Sequence, residues 1–299
     1  MKILRLVLLL LGVVLLAAPT VRGDGGTGVT SVDAWARERV DEFEELGEKP
    51  TLKNRKRRMA ILKELERAPC RTSQRCLLGL LKRRSTPGDH RLFSLRSLMK
   101  IADEKTFQGV LAALGKAKDP TLWTALGDYL AGDPSGPAQA WRAGPGLDAR
   151  SSEAVRACLA SLAAKPVRET KDRLAALYAS SAGKEKEVEL AHAALGALAS
   201  LLRDAAGALL LEAAGHPDWR LRLVAAERLP SIEPFEGDVA QAVRTLMQDE
   251  STTVRQAAAS ACGAHKRSAV AEALAGLLGD PRARTRHEAN RALVAIRGE

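Results

Sequence analysis

Small and apolar residues return along this chain at a fixed helical phase, once every 31–33 residues. The three clearest copies are His216–Leu229, Asp249–Gly263 and Asp280–Leu293, which align on Arg222, Arg255 and Arg286. The same step runs back through Glu189, Arg156, Trp123, Arg91 and Arg58. Counted from each anchor, offsets −1, +3 and +7 share one face of a helix. At −1 stand Arg57, His90, Leu122, Val155, Val188, Leu221, Val254 and Thr285. At +3 stand Ile61, Ser94, Leu126, Leu159, His192, Ala225, Ala258 and Ala289. At +7 stand Leu65, Leu98, Leu130, Ala163, Gly196, Leu229, Cys262 and Leu293. The face is small or apolar in most copies, clearest from residue 120 onward and degenerate in the two N-terminal copies.

Between successive anchored helices there is room for one more. Candidates are Glu104–Lys116, Glu169–Ser180, Leu201–Ala213, Gly237–Met247 and Arg267–Leu278. In one of them Val239, Ala242, Val243 and Leu246 keep the i, i+3, i+4, i+7 spacing. Asp119-Pro120, His216-Pro217, Asp280-Pro281 and Gly263 punctuate the junctions. Ser31 is placed to cap a helix through Leu46, with Trp35, Val40 and Phe43 inward, packed on Lys53–Glu66. The segment Gly132–Asp148 breaks the pattern, since three prolines and four glycines argue against a normal helix. Its one aromatic residue, Trp141, is a candidate contact of a binding loop or hinge. The structural alternative is an insertion whose tryptophan covers the edge of the stack. The count is eight helix pairs, with an irregular one at 132–150.

A 31–33-residue helix pair whose second helix reads Val-Arg-x-x-Ala-Ala-x-Ala-Leu resembles the HEAT repeats, in particular their short, bacterial PBS-lyase-like variety. The resemblance covers residues 88–297 and is most specific at Arg255 and Arg286. It implies an all-α, right-handed α-solenoid of about eight antiparallel helix pairs. Such pairs bury their apolar faces only by stacking, which gives one elongated domain, here over residues 24–299. In the family, the arginine and a preceding aspartate form a ladder between neighbouring repeats. Asp249/Arg255 and Asp280/Arg286 match that spacing, and Glu189 departs from it. The signature residues of ankyrin and tetratricopeptide repeats, which have similar periods, do not occur.

The first 23 residues stand outside this pattern. Lys2 and Arg5 precede an apolar run, Val7–Ala18, and Val21-Arg22-Gly23 offers a cleavage site before Asp24. This reads as a secretory signal peptide, with an uncleaved N-terminal anchor as the alternative. No cysteine follows the apolar run to carry a bacterial lipid anchor, and no second apolar run of spanning length is expected. The expected address is the periplasm, cell envelope or exterior. Of the formal net charge of +10, Lys2, Arg5 and Arg22 supply three in a leader without acids, leaving +7. For an exported chain this balance points to a protein partner or an acidic envelope polymer rather than nucleic acid. The basic run Lys53–Arg58 follows an acidic helix bearing Asp33, Glu38, Asp41, Glu42, Glu44 and Glu45, so the two are expected to neutralise each other.

Candidate chemistry is sparse. Aromatic residues make up only 3% of the chain. Cys70 and Cys76 could pair in an oxidising compartment if a turn separates them, because six residues apart on one helix they would face different ways. Cys158 and Cys262 read as buried small apolar side chains. His192 falls at an inward offset and reads as a core histidine. The step His287-Glu288 resembles the His-Glu steps of HEAT-repeat di-iron hydroxylases. The equivalent positions, Gln256-Ala257, Leu223-Val224 and Leu190-Ala191, lack it, and a single pair cannot hold two irons. No nucleophile elbow, phosphate loop or zinc pattern appears, and no cofactor is implied. Offsets +1 and +5 adjoin the buried face and carry mixed polar residues: Gln256, Ser260, His287 and Arg291, with Glu227 on the neighbouring repeat. These are the candidate binding face. The reading is an exported, monomeric, non-enzymatic interaction scaffold. The alternatives are a repeat-scaffold enzyme of lyase or hydroxylase type and a binder of an acidic polymer or nucleic acid.

Overall fold

The computed structural model describes residues 31–47, 51–83, 85–101, 103–117, 119–132, 136–149 and 151–298. The leader and its cleavage site lie outside them. The described residues are all-α, with no strand among them. They fall into two compact units, one within residues 1–117 and one within 118–299. Each pair in a repeat array touches only its neighbours, so a regular period does not by itself make the array one unit.

The first unit holds α1 (Val32–Glu45), α2 (Leu52–Arg67), α3 (Arg71–Lys82), α4 (Gly88–Ile101) and α5 (Glu104–Ala117). Ser31 caps α1 as expected, its Oγ accepting the Ala34 N–H at 3.2 Å. Phe43 is buried, and Trp35 and Val40 are half-buried. α3 packs against α1, α4 and α5, while α2 packs on α4. The acidic and basic helices neutralise each other. Arg57 donates to Glu42 at 2.5 and 2.9 Å and to Glu64 at 3.1 Å, and the Arg58 guanidinium lies 3.9 Å over the Phe43 ring. Arg55 reaches on to Asp89 at 2.9 Å.

The cysteine pairing is corrected here. The turn precedes Cys70, whose Sγ caps α3 by accepting the Ser73 N–H at 3.4 Å, and Cys76 lies further along the same helix. Six residues on one helix put the two thiols on different faces, and both are free.

The second unit is a stack of helix pairs. Its second helices are α6 (Pro120–Ala131), α8 (Ser152–Ala164), α10 (Val188–Leu202), α12 (Trp219–Arg228), α14 (Thr252–Ala264) and α16 (Ala283–Arg297). Each packs on the next in that order. Before the last five of them come α7 (Gly136–Ala143), α9 (Lys171–Ser181), α11 (Gly207–Ala214), α13 (Gly237–Leu246) and α15 (Ala271–Gly276). The core follows the −1, +3, +7 register: Leu122, Leu126 and Leu130 are buried in α6, and Val254, Ala258 and Cys262 in α14. His192 is only half-buried. Cys158 and Cys262 are fully buried, and desolvation pushes both thiols up to about 12.

Two other expectations change. The irregular segment forms α7 after all. Pro137 sits in its first turn, where the missing N–H has no acceptor to lose. Glu185–Ala214 is long and apolar enough, by length and composition, to cross a membrane, contrary to the expectation that no such run follows the leader. In the structure a 3-10 turn at Arg203–Ala206 breaks it into α10 and α11. α10 packs between α8 and α12 and on α9, burying Ala191, Leu195 and Leu198.

Candidate functional site

The polar side chains of the second helices divide into those that tie repeats together and those that face solvent. The first group forms the ladder. Arg222 donates to both Asp249 oxygens, at 2.6 and 3.0 Å, and to Glu250 at 2.9 Å. Its remaining Nη1 caps the loop before its own helix, reaching the carbonyls of His216 and Pro217 at 2.9 and 2.7 Å. Arg255 repeats this arrangement. It donates to Asp280 at 2.7 Å and to the Asp249 and Glu250 carbonyls at 2.8 and 3.1 Å. Arg286 holds the Asp280 and Pro281 carbonyls in the same way. Each aspartate also accepts a backbone N–H two residues on, Ser251 for Asp249 and Arg282 for Asp280. One guanidinium thus staples the loop before its own helix to the aspartate before the next. Arg255 holds the Asp280 carboxyl below the usual carboxylate range, and the hydrogen bonds that Arg222 donates to Asp249 push its own pKa up.

At Glu189 a different bridge replaces the rung: the position equivalent to Asp249 and Asp280 is His216, and the partner lies four residues further on. Glu189 accepts from Arg220 of the next repeat at 2.7 Å. The signal was present as an acid at the anchor followed by a second arginine before Arg222. At Arg156 the rung lapses. Its equivalent partner position is Gly183, which has no side chain, and Arg156 lies 4.0 Å from Glu153 of its own helix.

The stripe at +1 and +5 is only partly free. Gln256 donates to the buried Thr285 Oγ1 at 3.2 Å, and Arg291 donates to Ser260 Oγ at 3.1 Å and pairs with Glu288 at 2.7 Å. Gln256, Ser260 and Arg291 therefore bridge α14 and α16, correcting the expectation that this stripe lacks packing logic. The cause is spacing: helices that approach closely enough to bury Ala258 and Ala289 bring the adjoining stripes within hydrogen-bond reach. Glu227 and His287 are exposed, and the Arg291 side chain keeps 62% of its surface in solvent. The His287-Glu288 step commits its carboxylate to Arg291. Among the described residues no three of His, Cys, Asp and Glu group closely enough to hold a metal.

Trp141 is no loop contact. It lies in α7, 6% exposed, over the Gly146 backbone, whose N–H bonds the Trp141 carbonyl at 2.8 Å. Its neighbour Arg142 is buried too and donates to the Leu130 carbonyl at 2.7 Å. The segment packs against both α6 and α8.

Among solved structures, human deoxyhypusine hydroxylase in complex with glycerol is similar at 15% identity and a TM-score of 0.37, covering 90% of this chain and 98% of that one. A designed armadillo repeat protein in complex with the peptide (KR)4 is similar at 13% identity and a TM-score of 0.26, covering 89% and 100%. No curated protein sequence matches the chain. The family model of HEAT repeats matches residues 208–294, the span that carries the Arg222, Arg255 and Arg286 rungs. The match runs from α11 into α16.

Proposed function

We propose that this chain is an exported interaction scaffold that holds a protein partner on the solvent-facing side of its second helices. The observation that supports this is the division of polar groups just described. The ladder and the α14–α16 bridges commit Arg222, Arg255, Gln256 and Ser260, whereas Glu227 on α12 and His287 and the Arg291 head on α16 reach solvent. Helices stacked at a fixed interval present such groups at a fixed interval, which suits an extended partner better than a small substrate. We read the chain as a binding protein rather than an enzyme. An acidic polymer is the second reading, supported by the basic balance of +7 without the leader.

A photo-crosslinker placed at position 287, and as a control at the exposed Leu278, tests this in the native envelope. A discrete protein adduct from 287 and none from 278 is the expected result. Adducts from both positions alike, or from neither, would remove the stripe as a recognition surface. Retention on a polyanion column that collapses with modest salt, without any protein adduct, would favour the polymer.

A further inference from the structure

A groove of about 380 Å³ opens where the C-terminal ends of α8, α10 and α12 lie side by side. Ala199, Leu210 and Ile232 give it apolar walls, and Arg203 and Arg228 line it with two guanidinium groups. Neither guanidinium has a hydrogen-bond or ion-pair partner among the described residues. The acid in the lining, Asp204, accepts the Glu233 backbone N–H at 3.2 Å. The Ser200 hydroxyl is screened from water and also has no partner. Arg203 is held at φ +53° and ψ −124°, backbone that suits glycine and strains any other residue. A glycine would end α10 there without strain. The residue present is an arginine, and its side chain lines the groove.

We propose that this groove binds a carboxylate carried on a short apolar body. Guanidinium groups are the side chains best matched to a planar carboxylate, and the apolar walls take the body. The volume lies at the small end of ligand pockets, which limits the body to a short chain or a single ring. The site lies at the helix ends, away from the +1/+5 stripe, and does not rest on the scaffold reading.

Octanoate is the probe, with acetate and octanol as controls, titrated calorimetrically into the full chain and followed by thermal melting. Octanoate is expected to bind and to raise the melting temperature, while acetate lacks the body and octanol the charge. Arg203→Gly removes both the guanidinium and the backbone strain. It should melt above the parent and bind octanoate at least tenfold more weakly, so lost binding cannot be lost folding. Arg228→Gln should weaken octanoate to a similar extent. Equal responses to octanol and octanoate would overturn the carboxylate assignment. Undiminished octanoate binding in the double variant would overturn the site and leave both arginines as charges that complement helix C-termini.

Discussion

Arg255 shows how one side chain can belong to two repeats. Replacing it by leucine removes the guanidinium from an Asp280 carboxylate that is only 4% exposed. Breaking a buried pair on one side should cost about 3 kcal/mol, and adding Asp280→Asn should recover part of it. Urea melts of the two single variants and the double variant check this; an unshifted midpoint for Arg255→Leu would mean the rung adds nothing. The stripe divides in the same way. Gln256→Ala should cost about 1 kcal/mol because it abandons the buried Thr285 hydroxyl, whereas His287→Ala should stay within about 0.5 kcal/mol. Nothing in the sequence separated these two, since both sit at offset +1. What differs is the neighbour each one meets. His90 adds a pH dependence. It is fully buried, 6.1 Å from the Phe43 ring, and desolvation lowers its pKa, with the Arg58 and Arg55 charges opposing and the Asp89 charge favouring protonation. Unfolded histidine takes up its proton near pH 6.5. The contribution of neutral His90 is therefore whole above that pH and is lost as the pH falls toward the lower folded value. Melting temperatures at pH 7.5 and 5.5 should diverge for the parent and less so for His90→Leu; equal divergence would clear His90.

The element scale is where the sequence was most legible and where its errors are most instructive. The apolar register placed the second helices, and burial recurs at −1, +3 and +7 in α6, α12 and α14. Ends were harder to place. α11 begins at Gly207 rather than near Leu201, since α10 runs on to Leu202 before the chain turns at Arg203. Gly263 reads in the sequence as punctuation, yet it lies inside α14. A Cβ there would stand 2.7 Å from the Ala292 Cα of α16. Its role is close approach, which one-dimensional spacing cannot reveal. Gly263→Ala should therefore lower the melting temperature, even though alanine gains about 0.5–1 kcal/mol of helix preference over glycine. A rise in melting temperature would show that α16 can shift away without loss.

At the scale of the whole molecule, the sequence conveyed the period and the all-α class but not the division near residue 117, because no periodic signal marks where contacts thin. The address is tested directly. If the leader is removed, the N-terminal residue of the mature protein should be at or near Asp24, and protein recovered from the cytosol beginning at Met1 would return nucleic acid to the field of partners. The acid at the Glu189 anchor has a consequence for the history of the array. Repeat proteins shorten and lengthen by whole units, and a cut of 33 residues, from Leu190 to Arg222, would keep every helix in phase. It would also seat Glu189 where Arg222 stood, facing the Asp249 carboxylate. The two segments joined there are keyed rather than interchangeable, so loss of a unit at that point sets two acids against each other unless a charge changes at the same time.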